Sequence, residues 1–121
     1  MYELAIEGGF AAAHSLRGYE GNCERLHGHN YRVRAMWESD RLNELGLVMD
    51  FRDAKRALKD ITEQLDHRYL NDLDAFKVDN PSSETLARVI YEGLEARAPE
   101  GVSLAGVTVW ESEGSSATYR P

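Results

Sequence analysis

A chain of 121 residues fits one domain, and 42% hydrophobic with 29% charged residues is the balance of a folded protein. Its net charge of −7 argues against non-specific nucleic-acid binding, which needs lysine and arginine to displace counterions, but a local basic pocket could still take an anionic substrate. One cysteine excludes an intrachain disulfide, the N-terminus has no basic region leading into an apolar stretch, and no apolar run approaches the ~20 residues of a membrane span, so a soluble cytoplasmic protein without nucleic-acid or membrane partners is expected.

Residues 2 to 7 alternate, Tyr2, Leu4 and Ile6 against Glu3, Ala5 and Glu7, which is the period of a half-buried strand. The strand is expected to pass an irregularity, a bulge, at Gly8-Gly9 and run on toward His14. Residues 15 to 28 hold Gly18, Gly21, Asn22 and Gly28 and read as a loop. Alternation returns with Tyr31, Val33, Ala35 and Trp37 on one face and Arg32, Arg34, Met36 and Glu38 on the other, a second strand ending near Asp40 and antiparallel to the first.

The period then changes. Phe51, Ala54, Leu58, Ile61 and Leu65 step by three and four, the apolar stripe of a helix, with Asp50 as N-cap and Asp53 suiting the helix N-terminus. Residues 67 to 80 form a connection of mixed character. A second helix starts near Pro81, capped by Asn80 or a following serine, with Leu86, Val89, Ile90 and Leu94 as its stripe. Residues 104–112 and 116–120 read as two strands around a Gly114-Ser115 turn. The order ββααββ predicts an α+β domain, a four-stranded antiparallel sheet with two helices on one face, leaving two sheet edges to be managed or used for assembly.

Every histidine falls where chemistry is plausible. His27 and His29 are two apart, so extended chain puts both on one face, and His14 is their natural third partner if the first two strands pair. Three histidines suit zinc better than magnesium or calcium, which want oxygen. Cys23 has two readings: a fourth ligand closing a structural site, or a free thiol beside a three-histidine metal with an open position. Asp66-His67 could be a carboxylate orienting an imidazole that activates the thiol, or a helix-terminal pair complementing the dipole. Glu111, in the otherwise apolar "VTVWES", could grip a ligand with two adjacent N–H donors or stand at a strand end facing water.

The ordered motifs "FAAAHSL", "CERLHGHNY", "LVMDF", "LDHRYLN", "NPSSE" and "VWES…ATYR" resemble the 6-pyruvoyltetrahydropterin synthase family across nearly the whole chain. The three-residue gap between Cys23 and His27 is most like its 6-carboxytetrahydropterin synthase branch, of the queuosine and deazapurine pathway. The resemblance implies the tunnelling fold, whose subunits close sheet edges into a barrel by trimerising and pair trimers into homohexamers. It implies zinc on His14, His27 and His29; Cys23, Asp66 and His67 as the catalytic proton-transfer set; Glu111 as anchor for the pterin; and Ser82, Ser83 and Glu84 lining the pterin pocket. Ser82 stands where the family often has threonine and keeps the hydroxyl. The substrate implied is a pterin triphosphate, 7,8-dihydroneopterin triphosphate, cleaved with water to 6-carboxytetrahydropterin, acetaldehyde and triphosphate. Two rivals remain: the pyruvoyl reaction, which lacks the carbon-carbon cleavage, and a non-catalytic zinc-stabilised assembly module with Cys23 as fourth ligand. Lys55 and Arg17 could meet the triphosphate or be solvated surface charges.

Overall fold

The computed structural model describes residues 1–19 and 25–121. Cys23 lies outside the described residues. Strands β1 (Tyr2–His14) and β2 (His27–Ser39) form the spine of the sheet, paired antiparallel from Tyr2 opposite Ser39 to His14 opposite His27. Alternation decides what each strand buries. Leu4, Ile6, Phe10, Ala12 and His14 of β1 share the buried face with Tyr31, Val33, Ala35 and Trp37 of β2.

The expected bulge at Gly8-Gly9 is absent. The register runs straight through, Gly8 opposite Val33 and Gly9 opposite Arg32. The glycines serve close approach instead: a Cβ at Gly9 would stand 2.7 Å from the Tyr31 carbonyl oxygen, and one at Gly8 3.2 Å from Leu58 Cδ2. The bulges fall elsewhere. Between β2 and β4 (Ser103–Ser112) Ala105 is the extra residue, and between β4 and β5 (Ser115–Tyr119) Glu111 is.

Helix α1 (Phe51–Thr62) begins where Asp50 accepts a hydrogen bond from the Arg52 N–H at 2.8 Å. Ala54, Ala57 and Leu58 are buried, and Leu65 continues the stripe past the helix end. Phe51, expected in that stripe, is 57% exposed, because the apolar face opens only at Ala54. Helix α2 (Ser83–Glu95) is capped by Ser82, whose hydroxyl accepts from the Thr85 N–H at 3.2 Å. Pro81 thus stands just before the helix. Leu86, Ile90 and Leu94 are fully buried and Val89 partly so. Each such side chain contributes about 1.5–3 kcal/mol of burial.

The connection between the helices corrects the strand count. Residues Arg68–Tyr69 form β3, which pairs parallel with β1 at Ala12 and Ala13. The sheet is therefore five-stranded and mixed, in the order β3-β1-β2-β4-β5, rather than four-stranded and antiparallel. Two residues are too few to show a period, which is why the sequence gives no sign of β3. Two 3₁₀ turns, Leu70–Asp72 and Asp74–Phe76, then bury Leu70 and Phe76. Helix α1 lies against β1, and α2 against β4 and β5, on the one apolar face. The sheet is open, with β3 and β5 at its edges. No described helix is long and apolar enough to cross a membrane.

The segment leaving β1 is sewn to the connection before α2 by two asparagines. Asn71 accepts from the Ser15 N–H and donates to the Ser15 carbonyl, both at 2.9 Å. Asn80 does the same to Arg17, again at 2.9 Å. The Arg17 guanidinium donates to the carbonyls of Phe76 and Asp79, so this charge braces the loop.

Candidate metal centre

The end of the β1–β2 pair places three imidazoles together. His14 closes β1 opposite His27, and His29 stands opposite Ala12. A period of two sends all three side chains to the buried face. Their ring centroids lie 4.5, 4.7 and 5.2 Å apart.

Backbone carbonyls choose the tautomers. His14 Nδ1 is 2.7 Å from the Pro81 carbonyl oxygen, and His27 Nδ1 is 2.7 Å from that of Arg25. A carbonyl only accepts, so each Nδ1 carries a proton, and in the neutral form of each ring Nε2 keeps a lone pair. Those two Nε2 atoms stand 2.9 Å apart. Two lone pairs at that distance repel, and a proton on one ring or a cation shared by both would relieve this. A proton is disfavoured at His14, which is fully buried: burial holds its pKa below the ordinary histidine value, and the neighbouring His27 adds to this against the opposing Pro81 contact. Burial also lowers the pKa of His29, against the opposing charge of Glu111. Neutral imidazoles with converging lone pairs are the form that binds metal.

The fourth member is Glu111. Its Oε1 lies 2.7 Å from His29 Nε2 and 3.9 Å from His14 Nε2. One donor atom from each of His14, His27, His29 and Glu111 falls within 4.8 Å of the others. Three nitrogens and one oxygen fit zinc, whose four-coordinate sites take such donors. The Tyr31 hydroxyl approaches His14 Nδ1 at 3.1 Å, and its ring stacks on Phe10 with centroids 4.8 Å apart. Burial, then the Glu111 charge, raises the Tyr31 pKa, so the phenol stays protonated.

Sequence reasoning missed three parts of this site. Tyr31 is one further step of two beyond His27 and His29, and that period was the available signal. The Pro81 carbonyl carries no side-chain signature at all. In the sequence Glu111 reads only as a ligand grip or a solvated strand end, and its approach to the histidines follows from a strand pairing that spacing does not display.

The other expected site residues lie outside the four-residue group. Asp66 accepts a hydrogen bond from the Ala11 N–H at 2.9 Å, which is the main cause of its lowered pKa, followed by His67. His67 Nδ1 is 2.9 Å from Asp66 Oδ2, the His67 backbone N–H donates to the Ala11 carbonyl at 2.6 Å, and the side chain is 82% exposed. Its φ of 57° puts a non-glycine residue in the left-handed region, at a cost of roughly 1–2 kcal/mol. Ser82 is committed to capping α2, Ser83 is buried, and Glu84 is exposed in the first turn. Their neighbour Pro81 links that helix start to His14.

The sequence pattern of the 6-pyruvoyl tetrahydropterin synthase family matches residues 3–121. The chain belongs to this family. Among its relatives in that family, a Synechocystis protein named 6-carboxy-5,6,7,8-tetrahydropterin synthase is 41% identical, the match covering 98% of this chain and 93% of the relative. A Pyrococcus furiosus protein named dihydroneopterin monophosphate aldolase is 34% identical, over 84% of this chain and 82% of its own. The structure of the Caenorhabditis elegans 6-pyruvoyl tetrahydropterin synthase superposes with a TM-score of 0.89 at 26% identity, covering 99% of this chain and 95% of that one. The open five-stranded sheet with two helices is thus the family's fold within one chain.

Proposed function

We propose that the chain is a zinc-dependent 6-carboxy-5,6,7,8-tetrahydropterin synthase of queuosine or 7-deazapurine biosynthesis. It takes 7,8-dihydroneopterin triphosphate and water to 6-carboxytetrahydropterin, acetaldehyde and triphosphate. The observation that carries this reading is the convergence of His14, His27 and His29, with the Nε2 atoms of His14 and His27 2.9 Å apart. The names borne by the relatives support the carboxy branch.

His14, His27 and His29 would hold the zinc. When bound, it supplies Lewis-acid stabilisation of developing oxyanion charge on the substrate side chain. Cys23 accepts a side-chain proton as thiolate, and His67, oriented by Asp66, relays it. Glu111 receives the paired N–H edge of the pterin and fixes the ring, with Ser82, Ser83 and Glu84 beside the start of α2 lining its pocket. Triphosphate leaves by elimination, and carbon-carbon cleavage releases the two-carbon fragment. The dimer-of-trimers assembly implied by the resemblance is part of this reading. Its support is the pair of open sheet edges, with exposed His67 preceding β3 at one of them.

Mass spectrometry of the products formed by the zinc-loaded protein tests the proposal. Carboxytetrahydropterin with acetaldehyde is expected. Pyruvoyltetrahydropterin would move the chain to the other branch. Turnover of the monophosphate alone would favour the activity named for the Pyrococcus furiosus relative. A folded, zinc-bound protein without turnover would favour the assembly module. Cys23→Ala should abolish turnover and keep zinc; loss of zinc from this variant would make the thiol a ligand.

A further inference from the structure

The pterin reading, on which this inference rests, directs the Glu111 carboxylate outward to a ring edge. The structure directs it inward, with Oε1 2.7 Å from His29 Nε2 and 3.9 Å from His14 Nε2. Four donors at about 2.0–2.2 Å from one zinc, at tetrahedral angles, stand about 3.3–3.6 Å from one another. The observed separations, from 2.7 Å up to 4.8 Å, bracket that edge length.

The contact is not an ordinary histidine–carboxylate hydrogen bond. His29 Nε2 is buried and makes no hydrogen bond of acceptable geometry, although the oxygen is so near. The oxygen therefore lies off the axis of the ring nitrogen, as two donors do when both are directed at a third point. Glu111 is also free to leave. It is the extra residue of the bulge between Trp110 and Ser112, unpaired with β5, and its side chain is 31% exposed.

We propose that Glu111 is an exchangeable fourth metal ligand. In the free protein its carboxylate closes the site formed by His14, His27 and His29. When the pterin arrives, the carboxylate passes to the ring's N–H edge and vacates a coordination position for a substrate oxygen. No covalent bond changes in this exchange; one carboxylate contact is traded for another. The metal is thereby shielded from water and small anions until the ring is seated.

Cobalt-substituted protein tests this directly, because the visible spectrum of Co²⁺ changes with coordination number and donor set. Azide serves as the small-anion probe, and pterin itself, which has the N–H edge but no triphosphate, as the displacing probe. Wild type should resist azide alone and change its spectrum when pterin binds. Glu111→Ala should respond to azide without pterin, and its zinc affinity should fall at least the tenfold that loss of even an outer-shell partner costs. Glu111→Gln, which keeps the side-chain size, should behave like the alanine variant, with circular dichroism checking the fold of both. A Glu111→Ala protein with the wild-type spectrum, azide response and zinc affinity overturns the proposal. So does a wild-type spectrum that stays fixed while pterin fluorescence shows binding. If pterin fails to bind at all, the function reading fails, and the azide contrast alone still decides whether Glu111 is a ligand.

Discussion

Two candidate centres hang on the last four residues of β1, and they are built in opposite ways. His14 at the strand end joins a half-enclosed group whose rings are locked by carbonyls of Pro81 and Arg25. Three residues earlier, the backbone of Ala11 grips Asp66 and His67, and the imidazole is left 82% exposed. The first centre brings its four donors together within one chain. The second is oriented by its backbone, and the ring has no described partner beyond Asp66, so it stays open to a substrate or another surface. Burial would suit the first as the proposed metal site, since metal binding needs neutral imidazoles; exposure would suit the second as the proposed relay, since a relay must meet what it protonates.

The comparison breaks if the two centres turn out to share one fate. The largest effect is expected from His27→Ala, which should lose bound zinc and with it all turnover, read by metal analysis and product formation. His67→Ala should lower turnover about 10²-fold or more with zinc content unchanged. His67→Gly should lower it as far while leaving stability unchanged or up to about 1 kcal/mol higher, since glycine relieves the left-handed strain. A parallel fall in melting temperature and turnover for both variants would make the Asp66–His67 pair merely structural. Tyr31→Phe should cost about 0.5–1.5 kcal/mol in denaturant unfolding and weaken zinc up to about tenfold, because it removes the hydroxyl beside His14 Nδ1.

The smallest expected effects are in pH. His14 and His29 have depressed pKa values, so at these two rings protons should compete with zinc only below the ordinary histidine range, and a chromophoric chelator followed over a pH series checks where zinc is released. Asp66 is also depressed, for a carboxylate. Its contribution to stability is therefore present above the unfolded carboxylate pKa and lost as pH falls through the lower folded value. Asp66→Asn should flatten the acid limb of a stability–pH curve without changing the zinc-release profile.

Much of this was legible in the residues. The alternation of Leu4, Ile6 and Tyr31 to Trp37 dictated the two long strands, and that pairing placed His14 opposite His27. What periodicity cannot carry was not legible. The two residues of β3 have no pattern, Gly8-Gly9 gives the same signal for a bulge as for close backbone approach, and Phe51 satisfies a stripe that the helix leaves in water. Glu111 shows the limit at the site itself. Its residue type announced chemistry, but its orientation depends on a bulge created by the pairing of β4 with β5.

The asparagine stitches have a consequence for how the protein reaches its working form. Ser15 and Arg17 are tied to Asn71 and Asn80 across 56 and 63 residues, and His14 to Pro81 across 67. A β1–β2 hairpin formed early would carry the three imidazoles side by side but without the carbonyl that fixes His14's tautomer. Contacts of such long sequence separation carry a loop-closure entropy that local hairpin contacts do not, which favours their forming after the hairpin. High-affinity metal capture should therefore mark the final docking of α2, and zinc added during refolding would act as a clock for that last step rather than as a nucleus for the first.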